Sequence, residues 1–282
     1  MIYAGIDQEN SSYDRAQVLL QSIPYDGTST WGKGADKGFQ AFMDASENME
    51  LFDIETGSEV FKRGVHVLPE IKEKATAEAM FNAVYDSTKL MLPSGKFLTF
   101  FGGEHSISIG IIKAFYEFHK NLTVLQLDAH TDLRPEYMGN PYNHACAVYD
   151  ASLNCNLIQV GIRSMDISEE EFLDRSKCFF AQDIEGQDMW MQKSIDLMTD
   201  KVYITLDLDV FDPSIMPATG TPEPGGMKWY VMLSYLRKVF EQKEVVGFDI
   251  VELAPIEGMT SSEFLAAKLY YKMLTYKFEL HG

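Results

Sequence analysis

Leu206-Asp207-Leu208-Asp209-Val210-Phe211-Asp212-Pro213 is the stretch from which the rest of the chain can be read. Ahead of it, Lys201 to Leu206, led by Val202, Tyr203, Ile204 and Thr205, is β-branched and apolar, the pattern of a strand buried on both faces. Two carboxylates one residue apart stand at its end, and in a strand residues two apart point to the same side. Two acids side by side at the end of a buried strand repel each other. They are costly to hold ionised unless a cation sits between them. A divalent metal is the simplest such cation.

Two more strand ends carry the same kind of side chain. Beyond the strand Phe97 to Phe101 comes Gly102-Gly103-Glu104-His105-Ser106, where two glycines allow a tight turn and His105 is presented as a helix begins. Taken alone, His105 reads as a cap or a surface residue. Beyond the strand Thr123 to Leu127 comes Asp128-Ala129-His130-Thr131-Asp132, with potential ligands at every second position. Extended geometry continued through that segment predicts that all three face one way. With Asp207 and Asp209, three strand ends supply more ligands than one closed tetrahedral zinc site needs, and no thiolate. They suit two cations about 3.5–4 Å apart that share bridging carboxylates and activate water. Oxygen and imidazole donors without sulfur favour manganese or magnesium, with zinc as the alternative. The chemistry predicted is metal-assisted hydrolysis.

The remaining segments alternate in the same way. Ala16 to Ile23 reads as a first strand, followed by the glycine-rich polar loop Pro24 to Gly34. Ile71 to Leu92 reads as a long helix stopped by Pro93, Ser94 and Gly95, and Ile107 to Phe118 as another. Asn156 to Val160 and Val245 to Ile250 read as strands, with helices at Trp229 to Phe240 and Ser262 to Tyr276. This alternation predicts an α/β fold with a largely parallel sheet covered on both faces. Sites in such sheets form beyond the carboxyl ends of the strands. The 282 residues can bury one large core, no linker composition interrupts the chain, and one domain over 1–282 is as readily expected as two.

Forty-two acidic against 24 basic side chains give a formal charge of -18, which argues against nucleic acid and anionic membranes as partners. The excess suits a protein that draws in cations, although solubility alone also accounts for it. Cys146, Cys155 and Cys178 are odd in number and form no Cys-x-x-Cys pair. That fits a reduced cytoplasm, as does a Met1 to Tyr13 segment with no basic start and apolar run. No apolar stretch is long enough to span a bilayer.

Gly-Gly-Glu-His at 102–105, Asp-Ala-His-Thr-Asp at 128–132, Asp-Leu-Asp-Val-Phe-Asp-Pro at 207–213 and Asp-Ile-Val-Glu at 249–252 resemble, in order and spacing, the signature segments of the ureohydrolases. This is the arginase and agmatinase family. With the loop from Ile23 to Gly34, the likeness covers nearly the whole chain. It implies a three-layer α/β/α fold around an eight-stranded parallel sheet, homo-trimers or homo-hexamers, and two Mn2+ per chain. By position, the resemblance assigns His105, Asp128, Asp132 and Asp207 to one manganese. It assigns Asp128, His130, Asp207 and Asp209 to the other, with Asp128 and Asp207 as bridges. Glu104 stands where many arginases have aspartate and is not a matched ligand.

Glu252 matches the family's guanidinium-binding glutamate, whose carboxylate can hold the planar fork by two hydrogen bonds. Asp132 would help stabilise the tetrahedral carbon, and His144 resembles the histidine proposed to carry a proton to the leaving amine. The loop Leu133 to His144 looks like agmatinases rather than arginases. Within it, Glu136 is a candidate to face a terminal amine, an exposed ion pair being the other reading. The resemblance therefore implies hydrolysis of a small cationic guanidino substrate to urea and an amine. Agmatine, giving putrescine, is the first expectation, with N1-aminopropylagmatine, guanidinobutyrate and arginine as rivals. A two-metal phosphoester hydrolase would need lysine or arginine beside the phosphate, and none of the four motifs holds either. A catalytically silent binding protein on the same fold is the other competing class.

Overall fold

The computed structural model describes residues 1–280. Its strands are β1 (Val18–Ile23), β2 (Val65–Val67), β3 (Phe97–Gly102), β4 (Leu122–Leu127), β5 (Asn156–Ile162), β6 (Cys178–Phe180), β7 (Lys201–Asp207) and β8 (Glu244–Val251). They form one eight-stranded sheet in the order β2-β1-β3-β8-β7-β4-β5-β6. Every pairing in it is parallel, as the alternation of strands and helices requires.

The period of two along the strands divides the core between the faces. Val18, Leu20, Phe101, Leu125 and Ile204 pack with Phe42, Trp190, Leu236 and Tyr270, from the helices Gly38–Ser46, Met189–Asp196, Trp229–Gln242 and Ser261–Glu279. Leu19, Leu98, Phe100, Val124 and Tyr203 pack instead with Val84, Ile111 and Phe115, from Ala77–Met91 and Ile107–Phe118. The layers are therefore α/β/α. Among the described residues, no helix is long and apolar enough to cross a membrane.

Some boundaries differ from the sequence reading. The helix expected over 71–92 begins only at Ala77, because Thr76 is extended and its Oγ1 accepts the Ala79 amide at 3.0 Å, an N-cap that stops the helix. The three-residue strands β2 and β6 were not anticipated, because three residues carry too little periodicity to be read. The first strand starts at Val18 rather than Ala16.

What matters for function is where the strands end. β3 and β4 follow one another in the chain, yet β8 and β7 lie between them in the sheet. The segments after these four strands therefore open around one crevice. The turn after β3 also receives the loop after β1. Gly103 N donates to Ile23 O and Glu104 N to Tyr25 O, each at 2.8 Å. A Cβ on Gly103 would lie 1.9 Å from the Tyr25 carbonyl oxygen. Gly103→Ala is accordingly expected to push this loop away and to cost about 2 kcal/mol or more of stability, read from the midpoint of urea unfolding.

Candidate metal centre and substrate cavity

Beyond β4 and β7 the chain does not stay extended, which corrects the expectation of side chains alternating along those segments. β7 stops at Asp207, and Leu208–Val210 winds into a 3-10 turn capped by Asp207, whose Oδ1 accepts the Asp209 amide at 2.9 Å. β4 stops at Leu127, and by Asp132 the backbone has reached φ 50°. A carboxylate so close to the end of its strand satisfies free amides there before the chain can continue in register. The side chains nevertheless converge.

Two groups of ligand atoms form. His105, Asp128 and Asp132 make one, and Asp128, His130 and Asp209 the other, each compact enough to hold a metal ion. His105 Nδ1 lies 3.1 Å from Asp128 Oδ2, 3.0 Å from Asp132 Oδ2 and 3.4 Å from Asp207 Oδ2. His130 Nδ1 lies 3.0 Å from Asp209 Oδ2 and 3.6 Å from Asp128 Oδ1. Asp128 thus turns one oxygen to each histidine. Asp207 turns one oxygen toward His105, and the other accepts the Asp209 amide.

The hydrogen bonds around His105 show what this cluster is built to receive. Thr205 Oγ1 donates its single proton to Asp249 Oδ1 at 2.7 Å, so its 2.9 Å contact with His105 Nε2 makes that nitrogen the donor. Asp249 is fully buried and is held further by Tyr203 Oη at 2.7 Å and Ser108 Oγ at 3.1 Å. In the neutral ring, Nδ1 then presents a lone pair to three carboxylate oxygens, and among the described residues it has no hydrogen-bond partner. Four acceptors facing one another fit a cation in their midst. With oxygen and imidazole donors and no sulfur, the set suits a hard or borderline divalent ion. The donor set and its geometry fit the group.

A proton can stand in for such a cation, and the electrostatics reflect this. Burial pulls His105 and His130 down, but neighbouring carboxylates outweigh it. His105 is raised well above its ordinary value by Asp128, Asp132 and Asp207, and His130 to about 12 by Asp209 and Asp128. Burial likewise raises Asp207 well above the carboxylate range, assisted by Asp209 and Asp128, and pushes Asp132 up to about 7 with help from Asp128. The two histidines hold Asp128 below the ordinary value despite its burial.

Glu252 follows β8 with φ 68°, in the left-handed region, and its Oε1 accepts the His105 amide at 2.8 Å. Burial and the Glu104 carboxylate raise its pKa well above the usual value. A cavity of about 240 Å³ runs past Asp132, Asp207, Glu252, His130 and His144 to Arg134, Tyr137, Asp166 and Glu169. Eight of the nine candidate residues therefore meet at one crevice. Glu136 is the exception: the loop turns through Met138 and Gly139, both at positive φ, and leaves Glu136 exposed and off the lining. Asp166 and Glu169 are the lining carboxylates in that region instead, and sequence reasoning missed them. The signal was available, since Asp166-x-x-Glu169 is a capping-box spacing, and both halves of the box form.

A family model described as Arginase family matches residues 16–275. The N(1)-aminopropylagmatine ureohydrolase of Synechocystis sp. is 37% identical, over 94% of this chain and 90% of that protein. The agmatinase of Pyrococcus horikoshii is 26% identical over 96% of each chain. Among solved structures, the agmatine ureohydrolase of Thermoplasma volcanium has a TM-score of 0.86 at 29% identity, covering 99% of this chain and 97% of that one.

The carboxylates that raise His105 and His130 favour a proton on each imidazole when no cation is bound, so loading is expected to displace protons. Raising the pH removes the competitor, so affinity for divalent cations is expected to rise between about pH 6 and 8, by about tenfold per pH unit for each proton released. Calorimetric titration in two buffers of different ionisation enthalpy measures this, and uptake without proton release would contradict the geometry.

Proposed function

We infer that this chain, which belongs to the arginase family and is a ureohydrolase, cleaves N1-aminopropylagmatine at a centre of two manganese ions. The observation that carries the two-metal reading is Asp128, with one oxygen 3.1 Å from His105 Nδ1 and the other 3.6 Å from His130 Nδ1. His105, Asp128, Asp132 and Asp207 would hold one ion, and Asp128, His130, Asp207 and Asp209 the other. The absence of sulfur from the donor set supports manganese. When bound, the pair supplies an activated water and neutralises charge at the reacting carbon.

The chain's own residues do the rest. Glu252 receives the guanidinium on Oε2, its Oε1 being anchored to the His105 amide, and so fixes the plane of the fork before attack. Asp132 accepts a hydrogen bond from the group added to the guanidinium carbon as that carbon becomes tetrahedral. His144, in the cavity wall, carries a proton to the departing amine. Urea and the amine then leave.

Agmatine was the first expectation and is now the second reading. The 37% identity to a protein named for the aminopropyl derivative favours the longer substrate. The Pyrococcus and Thermoplasma proteins, named for agmatine, keep the shorter one in view. Both substrates share the guanidinium end and differ in the tail, where the aminopropyl compound has a second cationic nitrogen. Glu169 is already engaged by Thr131 Oγ1, Leu133 N and Asp166 N, each at 2.8 Å. Asp166 keeps Oδ2 beside the Arg134 guanidinium at 3.8 Å, a contact loose enough to leave that oxygen to a tail ammonium, which supports the polycationic substrate.

Urea release measured side by side on N1-aminopropylagmatine, agmatine, guanidinobutyrate and arginine, with manganese present, is expected to give the highest kcat/KM for the first. Arginine or guanidinobutyrate in first place would overturn the polyamine reading. Glu252→Gln is expected to retain both cations by elemental analysis while losing about 100-fold or more in kcat/KM, whereas Asp207→Ala is expected to lose metal. A Glu252→Gln enzyme with normal turnover would remove the guanidinium role from that residue.

A further inference from the structure

We propose that Thr28, oriented by Glu104, is a positioning residue that fixes His144 in the tautomer whose Nε2 is free to exchange a proton with the substrate. This rests on the reading of His144 as the proton-transfer group.

The argument is a count of protons and lone pairs. Glu104 adjoins His105 in the chain, but its carboxylate is turned to the loop after β1. Oε2 accepts the Ser106 amide at 2.9 Å; Oε1 accepts the Thr28 amide at 3.2 Å, the Ser106 hydroxyl at 2.9 Å and the Thr28 hydroxyl at 2.8 Å. Amide N–H groups can only donate, so both oxygens of Glu104 act as acceptors.

Thr28 Oγ1 has one proton and two lone pairs. The proton goes to Glu104. One lone pair takes the His144 amide at 3.0 Å, again an obligate donor. What remains faces His144 Nδ1 at 3.2 Å and is a lone pair, so Nδ1 must carry hydrogen. Burial, the largest influence on His144, pulls it down to about 4, which keeps the ring neutral with a single N–H. That N–H being on Nδ1, the lone pair is on Nε2.

The same hydroxyl holds both the backbone and the ring of His144, so it sets orientation as well as tautomer. Tyr137 packs edge-on to the ring at 6.2 Å between centroids and limits rotation. The fully buried carboxylate that precedes the first ligand histidine therefore acts two hydrogen bonds away, through a loop from the other side of β3. The alternative is that Thr28 merely tethers that loop.

A double-mutant cycle separates the two, with kcat, KM and metal content measured for Thr28→Val and Thr28→Ser in the wild-type and His144→Asn enzymes. Thr28→Val is expected to lower kcat about 10- to 100-fold with KM within about twofold and both cations retained. Thr28→Ser, which keeps the hydroxyl, is expected to restore kcat to within about threefold, and in the His144→Asn background Thr28→Val is expected to cost less than about twofold. An equal loss in both backgrounds, no loss in kcat, or a change in KM alone would overturn the positioning role. Wild-type kcat in His144→Asn itself would instead remove the proton-transfer reading on which the role depends. Should Thr28→Val not fold, Thr28→Ala carries the same cycle with the same outcomes.

Discussion

Everything at the carboxyl end of the sheet follows from the cost of desolvating acids. Asp128, Asp132, Asp207, Asp209, Glu104 and Glu252 are all buried there, against His105 and His130. An isolated buried carboxylate is unaffordable unless it is paired, hydrogen-bonded or neutralised. Hydrogen bonding supplies part of the answer. The amides of Ala129, His130, Asp209 and His105 each donate to one of these carboxylates, using groups that would otherwise be orphaned where parallel strands end. Amides orient a carboxylate but leave its charge in place. The remaining excess of negative charge favours a cation at this end of the sheet, and the formal charge of -18 extends the same bias to the surroundings.

The cluster also requires backbone that ordinary segments avoid. Asp132 and Glu252 both lie at positive φ without being glycine, at a cost on the order of 1–2 kcal/mol each. Their neighbours over-determine them: Glu252 N donates to Gly103 O at 2.8 Å, and Val148 N donates to Asp132 O at 3.3 Å. On the far side, Arg163 reaches the carbonyls of Gly161, Asp209, Phe211 and Glu223, so one guanidinium ties the turn that carries Asp209 to β5 and to the loop beyond. Such clamps explain how short irregular segments hold these side chains in one arrangement.

The legible and illegible parts of the sequence divide along the same line. Strands such as Phe97–Gly102 and Lys201–Asp207 were readable because continuous burial demands continuous apolar residues, and the gathering of acids and histidines beyond them was readable because acids at such ends have few other purposes. The route by which the ligands converge was not. Period-two reasoning predicts that Asp128, His130 and Asp132 share one side, whereas the chain gives Asp128 and Asp132 to His105 and turns His130 toward Asp209. Residues that act through hydrogen bonds over long sequence distances left no local pattern either. Thr28 meets His144 across 116 positions, and Thr205 meets His105 across 100. Glu136 stands out in sequence as a charge in a matched loop, while the turn that exposes it, and the approach of Asp166 to the cavity, leave no local pattern.

The two ends of the cavity are built from different material, and this bears on how one chemistry serves several substrates. The end proposed for the guanidinium rests on residues at or just beyond the ends of β3, β4, β7 and β8, neighbours in a rigid sheet. Its tail end is lined from irregular chain: Arg134 and Tyr137 from one loop, Asp166 and Glu169 from another. Loops tolerate substitution that strand ends do not. Arg134 illustrates the margin: its guanidinium stacks on Tyr137 at 4.3 Å while its Nε, 3.7 Å from Glu169, makes no hydrogen bond among the described residues. A cation held by stacking and loose charge contacts is one that a substrate amine can displace at little cost. On the proposed reading, the tail of the substrate would meet replaceable contacts, while the reacting carbon would be positioned by the sheet itself.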